Sequence, residues 1–189
     1  MGLFSILFGC KDKSNKTVPE TFQIDGDTVT TKSSEGDKKL ADYELTNLEP
    51  DVQQHIKDKL TEAETLIIKY NGELPSEKYN SNILDEVFEK WRKSKDIKKE
   101  KPEYVIEALG AALGQDIVNS LDCEWHILSD DYGTDLAVIH KKYKINGFPF
   151  STVEKAFTEN KTGTFQGVKL ILKQQIQEAV TSGQVEERE

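Results

Sequence analysis

CEWHILSDDYGTDLAVIHKKYKINGF, residues 123–148, decides how this chain folds. Cys123 to Ser129 and Leu136 to Lys141 each carry the apolar and β-branched side chains that suit a strand. Between them, Asp130 to Asp135 holds carboxylates and Gly133. Two such runs around a glycine-containing turn predict an antiparallel hairpin. Tyr143 to Phe148 predicts a third strand, and Pro149 places it at a sheet edge, where a missing N–H is tolerated.

Upstream of the hairpin the period changes to that of helices. Val52, Ile56, Leu60, Ala63 and Ile67 make one apolar stripe and predict a helix over 50–70. Thr46 with Glu49 reads as a capping box, Pro50 suits the first turn, and Asn71-Gly72 stops it. A second helix is predicted over 81–94, with Ile83, Leu84, Val87, Phe88 and Trp91 inward. A third runs over 102–121. Gly110 and Gly114 within it each cost about 1 kcal/mol relative to alanine, which points to close packing of a neighbour. Downstream, Ser151 with Glu154 reads as a capping box for a short helix to about residue 157, and a last helix spans 165–180. Helices on both sides of a small antiparallel sheet predict an α+β fold: two layers, about three strands and about five helices.

The 189 residues divide into a flexible arm or linker over 1–45, a single α+β domain over 46–182 and a disordered tail over 183–189. Apolar residues make up 36%, leaner than the roughly 45–50% of ordinary chains, which fits an arm outside the core. Within the arm, Asp25-Gly26 has hairpin-turn chemistry, but the Lys, Ser, Thr and Asp around it read as linker. Residues 1–10 bring Leu3, Phe4, Ile6, Leu7 and Phe8 together ahead of Cys10. Three readings fit them: a short apolar start that docks or frays, a foot on a membrane surface, and a lipoprotein signal lipidated at Cys10. The two cysteines, Cys10 and Cys123, make no disulfide framework, so the expected location is cytoplasmic; the alternative is a bacterial membrane, through a lipid on Cys10.

The net charge of −9 favours encounter with a basic protein partner and works against nucleic acid and anionic lipid. Lys90, Arg92, Lys93, Lys95, Lys98, Lys99 and Lys101 cluster where the second helix ends, and cations there complement the helix dipole. No phosphate-binding glycine loop occurs and no cofactor is expected.

Cys123 with His126 is the candidate nucleophile and base, but an odd separation on a strand sends the two side chains to opposite faces. If Asp130 pairs with Asp135, Trp125 lies opposite His140 and His126 opposite Ile139, so the histidines do not converge on a metal. The turn lacks the ligand order of a calcium loop. Asp130, Asp131, Tyr132 and Asp135 are therefore read as a binding surface.

Glu107-Ala108-Leu109-Gly110-Ala111-Ala112-Leu113-Gly114, then Glu124-Trp125, Asp131-Tyr132-Gly133-Thr134-Asp135-Leu136-Ala137 and Phe148-Pro149-Phe150-Ser151, follow one another in an order that resembles a bacterial family, domain of unknown function 3806, over about residues 100–180. The resemblance implies a bacterial origin and a small α+β fold. That family has no established reaction, so it transfers no catalytic residue. The functional expectation is a non-enzymatic protein-interaction domain, specifically an immunity-type inhibitor that neutralises a toxin. The alternatives are a small hydrolase or transferase using Cys123 or His126, and a membrane-tethered lipoprotein.

Overall fold

The computed structural model describes residues 43–182 and, before them, the backbone of two strands, β1 (Val18–Ile24) and β2 (Asp27–Ser33). Residues 1–10 with Cys10, and the tail 183–189, lie outside the described residues. The chain forms two compact units, Met1–Ala41 and Asp42–Glu189. In the first, β1 and β2 pair antiparallel from Val18↔Ser33 to Ile24↔Asp27. Asp25-Gly26 itself lies outside the described residues, but the strands on either side of it pair, where composition alone reads as linker.

The second unit holds a four-stranded antiparallel sheet in the order β3 (Glu44–Thr46), β4 (Cys123–Asp130), β5 (Gly133–His140), β6 (Asn146–Gly147). Its helices are α1 (Pro50–Asn71), α2 (Ser81–Lys93), α3 (Pro102–Ser120), α4 (Pro149–Thr158) and α5 (Thr164–Ser182). This is the expected α+β architecture with one more strand. β3 adds to the far side of β4 through Glu44↔Ser129, Leu45↔Leu128 and Thr46↔Ile127. The third predicted strand shortens to two residues, because the chain first turns after His140, closing with the Ile145 carbonyl accepting from the His140 N–H at 2.9 Å.

Local signals behave unevenly. Pro50 and Pro102 open α1 and α3, and Gly72 ends α1 at φ 92°, a left-handed conformation that glycine adopts freely. The Thr46–Glu49 capping box does not form: Thr46 is in β3, and Glu49 caps α1 without a side-chain hydrogen bond. Pro149 is not a strand residue either. It opens α4 two residues before Ser151, whose hydroxyl donates to Asp135 Oδ2 at 2.8 Å instead of capping the helix.

α3 is buried on nearly all sides, as a helix apolar all round must be, and packs on α1, α2, α4 and β4. Its two glycines make room for bulky rings. A Cβ at Gly110 would lie 2.6 Å from Phe150 Cδ1, and one at Gly114 would overlap the Trp125 indole outright. Trp125 and Phe150 in turn pack on each other, 6.0 Å between centroids. The glycine pair of α3, the tryptophan of β4 and the Pro149-Phe150 start of α4 therefore form a single packed seam. One sheet face, with Cys123 and Val138, joins this main core. The opposite face buries Leu128, Ala137 and Ile139, with Tyr43, Leu45 and Phe148 against them. Among the described residues, no helix is long and apolar enough to cross a membrane.

Candidate functional site

The β4–β5 hairpin closes more tightly than its composition suggests. Asp130 pairs with Gly133, leaving only Asp131 and Tyr132 in the loop. Asp130 makes this possible: its Oδ1 accepts the N–H of Tyr132 at 2.7 Å and of Gly133 at 3.2 Å, satisfying the backbone the turn would otherwise leave open. Below it the hydroxyls of Ser129 and Thr134 meet at 2.9 Å. Asp135 turns inward, with Oδ1 accepting the Leu136 N–H at 2.7 Å and Oδ2 holding Ser151 at the first turn of α4. The four predicted binding residues thus divide into two pairs. Asp130 builds the turn and Asp135 anchors β5 to α4, while Asp131 and Tyr132 project from the tip, with Tyr132 83% exposed.

The register differs by two positions from the one expected. Cys123 lies opposite His140, Trp125 opposite Val138 and His126 opposite Ala137. A two-residue slip keeps each side chain on its face, whereas a slip of one would exchange the faces. Cys123 and His126 accordingly occupy opposite faces and do not meet. His126 Nε2 lies 3.0 Å from Glu124 Oε1. His140 is beside Cys123, but its Nδ1 accepts the N–H groups of Lys142 at 3.1 Å and Tyr143 at 3.0 Å. The ring also stacks on Tyr143, 4.9 Å between centroids. His140 is thereby built into the turn after β5. No group of three or more His, Cys, Asp or Glu side chains positioned for a metal ion occurs among the described residues.

Burial, reinforced by the neighbouring Asp122 charge, pushes the Cys123 thiol up to about 12, and its Sγ donates to the Leu121 carbonyl at 3.4 Å. The folded state favours the neutral thiol, so this contribution to stability is complete below the ordinary thiol value and fades as pH rises through about 12. Only thiolate attacks an alkylating reagent. In a Cys10→Ser chain at pH 8, iodoacetamide should label native Cys123 at least about 100-fold more slowly than the same thiol in denaturant. Equal rates would contradict the burial.

The polar cluster that sequence reading missed lies among three helices. Asp116 of α3, 8% exposed, accepts the Ser81 N–H at the start of α2 (3.0 Å) and a forked contact from Lys169 of α5, 2.8 and 2.9 Å. Asp85 of α2 in turn accepts the N–H groups of Phe165 (3.2 Å) and Gln166 (3.0 Å) in the first turn of α5. Burial raises the Asp85 pKa, and those two N–H groups partly offset it. Ser81 Oγ donates to Gln166 Oε1 at 2.6 Å and closes the ring. Each carboxylate caps a neighbouring helix, supplying the acceptor and negative charge that a helix N-terminus lacks. With every member paired inward, the cluster locks α2, α3 and α5 together. The available signal was Asp116 itself, a carboxylate three and four residues after Leu113 and Ala112, on the apolar stripe of α3.

Residues 86–168 match the model of a family described as Domain of unknown function (DUF3806). The match starts within α2, ends in α5, and spans both the Gly114–Trp125–Phe150 seam and the hairpin. No curated protein matches the chain. Among solved structures, a crystal structure from Bacteroides thetaiotaomicron VPI-5482 at 1.50 Å is similar, with a TM-score of 0.52 and 11% identity over 80% of this chain and 69% of that one. At that identity the likeness is one of fold alone.

Proposed function

We propose that this chain is a non-catalytic protein-binding domain that meets a basic partner with the tip of the β4–β5 hairpin, as an immunity-type inhibitor would occupy the active site of a toxin. The observation that carries the reading is Tyr132, 83% exposed beside Asp131 on a turn whose backbone Asp130 already satisfies. An aromatic ring supplies large contact area with few rotors, and tyrosine is among the residues that dominate binding energy. A turn held rigid in the free protein reduces the ordering cost of association. The net charge of −9 adds steering toward a positively charged surface. A cysteine mechanism finds no support in the same hairpin, where Cys123 and His126 face apart.

The test is parallel affinity capture from an extract of the source organism with three baits: the unaltered chain, Asp131→Lys/Tyr132→Ser, and His55→Glu as an exposed control on α1. The expected result is a partner held by the unaltered chain and the control and lost from the hairpin variant. A partner retained by all three baits at equal yield would sink the assignment of the interface.

A further inference from the structure

We propose that the loop joining α2 to α3, residues 94–101, is a second docking surface, one that seats on an anionic lipid membrane. Ile97 is 96% exposed, the most exposed large apolar side chain among the described residues. It stands between Lys95 and Lys98, with Lys93 and Lys101 close in sequence, all exposed.

Helix-end electrostatics account for only part of this cationic run. Lys90 pairs with Glu86, Arg92 and Lys93 pair with Glu89, and Lys99 donates to the Trp91 and Arg92 carbonyls at the end of α2. Lys95, Lys98 and Lys101 have no ion-pair partner among the described residues. Lys101 caps the N-terminus of α3, where a positive charge opposes the helix dipole. Of the two interrupting carboxylates, Glu100 is paired, accepting from Lys69 Nζ and Tyr70 OH at 2.7 Å each, while Asp96 keeps its charge and accepts the Lys98 N–H on Oδ1 at 2.8 Å, leaving the loop's lysines in excess. The loop therefore presents unpaired lysines around one apolar prong, a local cationic exception on a chain whose net charge of −9 otherwise works against anionic lipid.

That combination matches a headgroup layer, which takes cations at its surface and an aliphatic side chain just beneath. It suits nucleic acid less well. Single strands are held by exposed rings; the loop 94–101 carries none, and Trp91, three residues before it, is 2% exposed.

The test is sedimentation of the full chain with phosphatidylcholine vesicles, with and without phosphatidylglycerol, at low and physiological salt. Binding is expected only with phosphatidylglycerol, and weaker as salt rises. Lys95→Glu/Lys98→Glu/Lys101→Glu should reduce it by about 100-fold, and Ile97→Ser by roughly tenfold. Urea midpoints no lower than that of the unaltered chain confirm that the variants fold, with the lysine variant expected slightly higher because a carboxylate at position 101 suits the N-terminus of α3. No binding to phosphatidylglycerol vesicles overturns the proposal. So does binding that both variants retain, which would place the contact elsewhere, for instance in residues 1–10. A loop-dependent affinity for an oligonucleotide without vesicle binding overturns it in favour of nucleic acid.

Discussion

Replacing Gly114 by alanine is expected to destabilise the domain by about 2–3 kcal/mol, although alanine is the better helix former by about 1 kcal/mol. The added methyl group would occupy the space of the Trp125 indole, and Pro149 Cγ would lie 3.0 Å from it. The indole has little freedom to yield, because Phe150 packs on it and Phe150 is itself seated on Gly110. Either the tryptophan leaves its rotamer or α3 moves away from the sheet. Gly167→Ala in α5 is the matched comparison, since a Cβ there meets nothing within 4 Å. It should gain roughly 0.5–1 kcal/mol. Urea midpoints of the two variants, read with tryptophan fluorescence, should therefore move in opposite directions from that of the unaltered chain. Equal midpoints would mean the seam is looser than described.

Asp116→Ala should have the largest effect of any substitution considered, a loss of about 3–5 kcal/mol. It strands the Lys169 ammonium, whose side chain is 19% exposed, and removes the acceptor for the Ser81 N–H. Desolvating an unpaired cation is the dominant part of that penalty, so Asp116→Leu combined with Lys169→Met should recover most of the loss. The cycle through Asp116→Leu, Lys169→Met and their double variant isolates the pair, with a coupling well above the roughly 0.5 kcal/mol seen between independent sites. A single variant costing less than about 1 kcal/mol would show that the pair is screened like a surface ion pair.

The contrast between these two sites explains what was legible in the sequence. Gly110 and Gly114 announce close packing by their cost in a helix interior, even though the rings that fill the space are not apparent. Apolar spacing and the terminal residues Pro50, Gly72 and Pro102 are local signals, and the helices carrying them start and stop where expected. The hairpin was equally visible, but its register was not. The stretch 130–135 offers several turn residues, and the choice of a two-residue loop rests on how the Asp130 carboxylate bonds to its own backbone. β3 is only three residues long and has no period to detect. Ser151 and Glu154 have the spacing of a capping box, yet Pro149 starts the helix first and Asp135 takes the serine. The lock among α2, α3 and α5 joins residues 35 to 85 positions apart, beyond the reach of any local pattern.

Of the four predicted binding residues, the structure separates Asp130 and Asp135, whose carboxylates bond within the domain, from Asp131 and Tyr132, which it displays. That separation sharpens the functional claim, because Asp131 and Tyr132 can be altered without removing a hydrogen bond from the hairpin. The most direct measurement is the Kd of the captured partner for the unaltered chain and for Tyr132→Ser, with the urea midpoint of each verified. Binding at least about 30-fold weaker is expected for the variant, the loss of an aromatic anchor worth roughly 2 kcal/mol. A Kd unchanged within about twofold, a difference of under 0.5 kcal/mol, would contradict a partner docked on the hairpin tip.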